Sequence, residues 1–317
     1  MYPAGVEHRG EPGSPPFPTP AVDRVVRRVH KVFSSLDSLK YLGEAERRDF
    51  AYYRDLYEEQ FKRITIKARE GRLRPLDLRG FPQDLRYPGY AARIGIFIGS
   101  FDPFQMTHLA MALRFLASDS CEADVLFVVP EGSPDPTKPR KTEYRFRYEI
   151  LKRQLAGVLE PLVVPLDLGE GADTIEIVRR LIALHPGSAM RLTHLIGSDS
   201  LPTAVRYLPA DLEAWTAAAA RHGVGLDFSL FVVRRERSTP LRLLMRKVRS
   251  HGVPIVVDRN VIGTPSSTVF RSDRAITLVF PTEAVFGSLE LLFRYGMNQP
   301  WSSRPAAPNA WWPGDDI

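Results

Sequence analysis

Residues 93–118 read RIGIFIGSFDPFQMTHLAMALRFLAS. An apolar run, Ile94 to Ile98, breaks at Gly99. Ser100, Phe101, Asp102 and Pro103 then turn the chain, and a helical stretch begins that carries one histidine, His108. The run is continuous rather than alternating, as in a strand buried on both faces of a parallel sheet. A glycine at its end lets backbone approach a ligand, and the helix that follows offers unpaired N–H groups and a positive dipole end to an anion. A tight βα turn with a satisfied helix histidine is the plainer reading of the same residues.

The rhythm of apolar run, loop and helix repeats downstream. Strands are expected at 94–98, 125–129, 162–166, 192–196, 229–233 and 253–257, with helices at 107–116, 144–155, 174–184, 212–221 and 241–250. Alternation of this kind implies parallel βαβ units, and the expected fold is α/β, a Rossmann-like doubly wound parallel sheet. Ahead of it, Val22, Val25, Val26, Val29, Val32, Phe33 and Leu36 recur at helical spacing, opposite Arg24, Arg27, Arg28 and Lys31. A second charged helix is expected from Glu44 to Glu70, with Phe50, Leu56 and Phe61 inward. The organisation read from this is a disordered arm at 1–20, a helical extension at 21–90, the α/β domain at 91–298 and a Pro/Trp-rich tail at 299–317.

Composition sets outer bounds. The 317 residues are 44% hydrophobic and 25% charged with a formal charge of +6, and this suits nucleotide binding and plain solubility alike. Cys121 is the one cysteine, so no intramolecular disulfide or thiolate cluster can form, as expected of a reducing cytoplasm. No stretch approaches the roughly 18 to 20 apolar residues of a membrane helix, and the first residues lack a signal-peptide layout. A cytoplasmic protein whose partners are small-molecule nucleotides, not a membrane, is the expectation. A nucleic-acid partner rests only on the basic helix at 24–31. Packing or self-association is the expected role of the extension.

In open parallel sheets, ligands bind beyond the carboxyl ends of the strands. After the first strand stand Gly99, Ser100 and Phe101, then Gln105 and His108. After the second, Lys138, Arg140, Lys141, Arg145 and Arg147 crowd a loop and helix start, either for an anion or as a solvated basic face. After the fourth, Gly197 and Asp199 suit a ribose diol, Asp199 being equally placed to cap a helix. After the sixth, Ser266, Ser267 and Thr268 open a helix with Arg271 a turn later, suited to phosphate or to ordinary capping. Four such strand ends together favour a nucleotide site.

Two motifs carry a resemblance. GSFDPFQMTHLAMA, residues 99–112, resembles the first motif of the nucleotidylyltransferase superfamily, a Gly-x-Phe-Asp-Pro turn followed by His/Thr-x-Gly-His. PSSTVFR, residues 265–271, resembles its second, Ser-Ser/Thr-Thr-x-x-Arg. The Gly-x-Asp-x-Leu run at 197–201, a downstream tryptophan (Trp215) and a strand ending in Arg235 are similar to bacterial nicotinate or nicotinamide mononucleotide adenylyltransferases. The resemblance covers about residues 92–297. It implies transfer of AMP from ATP, with Mg²⁺, to the mononucleotide, and release of pyrophosphate in NAD biosynthesis.

On that resemblance, His108 donates to the ATP phosphates, and Ser266, Ser267, Thr268 and Arg271 hold pyrophosphate. Gly197 and Asp199 line the adenosine pocket, and Gly99, Ser100 and Phe101 floor the mononucleotide phosphate. Lys138, Arg140, Trp215 and Arg235 meet the substrate. Trp215 has two readings, stacking on the pyridine ring and plain packing. The chain departs from the motif at Gln105, in place of His or Thr, and at Thr107, in place of Gly; the β-branched Thr107 is expected to narrow the pocket. A nucleotidylyltransferase with another phosphorylated acceptor, or a nucleotide-binding regulatory protein with a degenerate motif, remains an alternative.

Overall fold

A computed structural model describes residues 19–36, 44–74, 92–133, 141–235, 239–258 and 260–262. The chain forms α1 (Thr19–Leu36), α2 (Glu44–Arg69), β1 (Ala92–Gly99), α3 (Met106–Ala117), β2 (Val125–Pro130), α4 (Tyr144–Leu155), β3 (Val163–Pro165), α5 (Thr174–Ala183), β4 (Ala189–Gly197), α6 (Leu201–His222), β5 (Gly225–Val233), α7 (Leu241–Ser250) and β6 (Ile255–Asp258). The strands form one sheet in the order β3-β2-β1-β4-β5-β6, and every pairing is parallel. This is the expected doubly wound, Rossmann-like α/β architecture. The order reverses between β1 and β4, where such sheets open a crevice for ligands.

Alternate strand residues feed two apolar layers. Phe97, Leu126, Val128, Leu195 and Phe231 face the layer that holds α1, α2, α3 and part of α4. Ile94, Ile96, Ile98, Phe127, Leu192 and Leu230 face the layer of α5, α6 and α7. The helix α3 lies so close on β1 that a Cβ on Gly95 would sit 2.4 Å from the Phe115 ring. Ten of the twelve residues of α3 are buried, so it is an interior helix with another layer outside it. That outer layer is the helical extension. Val22, Val25, Val29 and Phe33 of α1, with Phe50, Tyr53, Tyr57, Phe61 and Ile64 of α2, join the same apolar cluster.

Two expectations shift. The helix expected at 212–221 begins eleven residues earlier, at Leu201, and runs through Pro209. Pro202 occupies the first turn, where no N–H is needed. The interior Pro209 is overridden by a buried stripe, Leu201, Val205, Leu208 and Trp215, that continues on both sides of it. The strands β4 and β5 also begin earlier than expected, at Ala189 and Gly225, because their first turns of pleat alternate exposed and buried residues and so lack the continuous apolar signature. Among the described residues, no helix is long and apolar enough to cross a membrane.

Candidate active site

The turn after β1 is strained and buried. Phe101 holds φ at 39°, a value that non-glycine residues seldom adopt. Its ring packs edge-on against Phe97 at 4.9 Å, Phe104 at 5.4 Å and His108 at 5.2 Å between centroids. Strain of this kind costs on the order of 1 to 3 kcal/mol and persists where the surroundings fix it. Asp102 is buried, and its Oδ2 accepts the Thr142 N–H at 2.7 Å, which ties the turn to the loop before α4.

His108 lies in the first turn of α3. Its Nδ1 accepts the Gln105 backbone N–H at 3.0 Å. Burial, with the nearby positive charge of Arg235 adding to it, pushes the imidazole pKa down to about 3. A neutral ring that accepts at Nδ1 carries its proton at Nε2. His108 is therefore a fixed, neutral donor at the positive end of a helix. Beside it the Gln105 side chain is 0% exposed, and its Nε2 amide donates to nothing among the described residues. A buried donor without an acceptor costs about 1 to 3 kcal/mol, and an anion at this helix end would relieve that cost.

Across the crevice, β4 ends at Gly197. A Cβ there would stand 2.3 Å from Asp199 Oδ1 and 2.9 Å from the Arg235 Cδ. Glycine is what lets Asp199 and Arg235 fold over the strand end. Arg235 donates to Asp199 Oδ2 at 3.0 Å, and its backbone N–H donates to the buried Ser198 Oγ at 3.0 Å. Asp199 is not the cap of α6, since Ser200 occupies that position. Its carboxylate keeps lone pairs beyond the one engaged by Arg235. Gly99, Ser100, Phe101, Gln105 and His108 thus follow β1, and Gly197, Asp199 and Arg235 cluster at the ends of β4 and β5, the strands next to it in the sheet.

The structure bears on three of the open readings. Trp215 is 1% exposed, its indole N–H donates to the Ile175 carbonyl, and its ring packs on Phe228 at 4.8 Å. It is a core residue of the α5/α6 layer with no face left for a pyridine ring. Thr107 does not narrow the crevice. It is buried, and its Oγ1 lies 2.9 Å from the Tyr53 hydroxyl of α2, so its side chain is taken up by the extension. The described members of the basic cluster after β2 meet protein partners. Arg147 is buried and donates to the carbonyls of Ser100, Thr142 and Glu131; Arg145 pairs with Glu170; Lys141 donates to the Ser133 carbonyl. Lys138, Arg140, Ser266, Ser267, Thr268 and Arg271 lie outside the described residues.

The sequence reading missed Tyr53, Tyr57 and Lys67 of α2, which bond to both ends of α3. The phenol of Tyr57 donates to the Met106 carbonyl at 2.7 Å. The Lys67 ammonium donates to the carbonyls of Leu116, Ser118 and Cys121 at 2.7 to 2.8 Å. A signal was present, since Tyr53, Tyr57, Ile64 and Lys67 continue the apolar stripe of α2. Nothing local shows which element receives that stripe.

A parallel doubly wound sheet with helices on both faces defines the class, a Rossmann-like α/β chain. No family model matches the chain. It is similar to curated proteins named probable nicotinate-nucleotide adenylyltransferase. The one from Bordetella petrii is 28% identical over 162 residues, spanning 43% of this chain and 80% of the relative. That from Gemmatimonas aurantiaca is 31% identical over 124 residues, spanning 38% of this chain and only 56% of the relative. Among solved structures, the Plasmodium falciparum nicotinic acid mononucleotide adenylyltransferase complexed with NaAD superposes with a TM-score of 0.41 at 15% identity, covering 63% of this chain and 95% of that one. The chain thus resembles the nucleotidylyltransferase superfamily.

Proposed function

We propose that the chain is a nucleotidyltransferase that adenylylates nicotinate mononucleotide. A phosphate oxygen of the mononucleotide attacks the α-phosphorus of MgATP in line, the bond between the α-phosphorus and the bridging oxygen breaks, and pyrophosphate leaves. The reaction needs position and charge stabilisation from the protein and no covalent intermediate. The observation that carries the reading is the pair of donors at the start of α3. His108 is held neutral with its proton on Nε2, and the Gln105 amide is buried without an acceptor. Triphosphate oxygens at this helix end would accept from both, with Arg235 adding positive charge from across the crevice. Asp199 would accept from the ribose of the adenosine. Gly99, Ser100 and Phe101 would floor the acceptor phosphate.

On the same reading, Ser266, Ser267, Thr268 and Arg271 hold the departing pyrophosphate, and Lys138 and Arg140 lie over the phosphates. Those roles rest on the sequence motifs. Magnesium would enter with ATP. Among the described residues, no group of three or more His, Cys, Asp or Glu gathers to cage a metal ion, so the phosphate oxygens are taken as its main ligands.

Pyrophosphate release from MgATP, measured with nicotinate mononucleotide, with nicotinamide mononucleotide and with neither, tests the proposal. Acceptor-dependent release, faster with the nicotinate form and about 100-fold slower in His108→Ala, is the expected result. Tight MgATP binding with no release from either acceptor would replace it by the second reading, a nucleotide-binding protein without turnover. Gln105, where the motif has His or Thr, favours that second reading.

A further inference from the structure

The helix α2 is fastened to α3 by more than apolar packing. At the start of α3, Tyr53 shares a hydrogen bond with Thr107 Oγ1 at 2.9 Å, and Tyr57 donates to the Met106 carbonyl at 2.7 Å. Both bonds are buried and fall on the turn between Gln105 and His108. At the far end, Lys67 is 2% exposed and spends its three N–H donors on the carbonyls of Leu116, Ser118 and Cys121. The last carbonyls of a helix lack intrahelical donors and carry its negative dipole end, so this ammonium caps α3. Burying a lysine is costly unless its donors are all used, and a purely apolar contact would not call for one.

We propose that α2 is the positioning element of the site. Tyr53 and Tyr57 fix the first turn of α3, and with it the donors of Gln105 and His108, while Lys67 fixes the last turn. Thr107 is then the handle that Tyr53 grips, which gives a reason for its departure from the glycine of the motif. Tyr53, Tyr57 and Lys67 are positioning residues, acting through α3. The inference rests on the proposed function only for what the site binds.

The experiment uses the full chain with Tyr53→Phe, Thr107→Val, the double variant, and Arg63→Ala as an exposed control on α2. Amide hydrogen exchange of Gln105, whose N–H is held by His108, reports the first turn of α3 without any ligand. Exchange of Leu126, bonded to the Leu162 carbonyl inside the sheet, reports the fold. Each single variant is expected to speed Gln105 exchange and to weaken MgATP affinity, each by about tenfold, with Leu126 unchanged. The double variant is expected to be no worse than the worse single, because both hydroxyls serve one bond. Arg63→Ala should match wild type. Gln105 exchange that moves only in step with Leu126, or stays at the wild-type rate, would overturn the proposal and leave α2 as packing alone. If wild type binds MgATP but turns over neither mononucleotide, the proposed function fails and the exchange data still decide the role of α2.

Discussion

Over β2 and β3, the described cations at the carboxyl edge of the sheet are spent on protein partners, whereas at the start of α3, beyond β1, a buried amide has no partner among the described residues. Arg147 braces the loops after β1 and β2 through three backbone carbonyls. Tyr144 donates to Asp167 and accepts from the Gly169 N–H. A Cβ on Gly169 would lie 1.8 Å from the Pro130 carbonyl oxygen, so these loops also meet backbone to backbone. At the β1/β4 crevice, by contrast, the Gln105 amide is buried without an acceptor, and His108 is held as a one-sided donor. In sequence, the richer cluster of basic residues belongs to the first region. A tally of where donors go separates brace from site, and a tally of charges does not.

The largest effect should come from breaking the brace. Arg147→Met removes this donor from three carbonyls, one buried and two part-buried, and a loss of about 4 kcal/mol in unfolding free energy is expected, read from the urea midpoint. Where stability permits assay, affinity for MgATP should follow the folded fraction alone. A variant as stable as wild type would show that Arg147 is free to meet a ligand.

Acid should act on the buried histidines. Burial holds His194 at a pKa of about 4 and lowers His185 as well, and the Nε2 of each is buried without a partner among the described residues. The unfolded chain binds protons on these rings below about pH 6.5, while the folded chain does not. Stability therefore falls as pH drops from about 6.5 to 4, by roughly 3 kcal/mol for His194. Asp211, raised to about 6 by burial and by the charge of Asp173, acts in the opposite sense over the lower part of that window. Urea unfolding at stepped pH checks this, and His194→Phe should flatten the slope.

The smallest effect separates the core tryptophan from the site. Trp215→Phe should cost about 1 to 2 kcal/mol of stability and leave the KM for the mononucleotide unchanged. A several-fold rise in KM at unchanged stability would return Trp215 to the substrate.

How far the sequence alone reached follows from the range of the interactions. Continuous apolar runs announced the central strands, and the glycine and histidine after β1 marked one wall of the crevice. Gly197, Asp199 and Arg235, singled out one by one, proved to be neighbours. What escaped were contacts without a local period. The bond from Tyr53 to Thr107 spans 54 residues of chain, and that from Trp215 to Ile175 spans 40. Arg147 looked like a ligand group because burial, which decides its role, is not written in its neighbours. The helix α6 passed through Pro209 because tertiary packing outweighed a local breaker.

Calorimetric titration of the α,β-methylene analogue of MgATP into wild type and His108→Ala tests the central claim most directly. The account predicts one site per chain in the wild type and an affinity at least tenfold weaker in the variant, measured where the variant is fully folded. Equal affinities in the two, or no binding by the wild type, would contradict it.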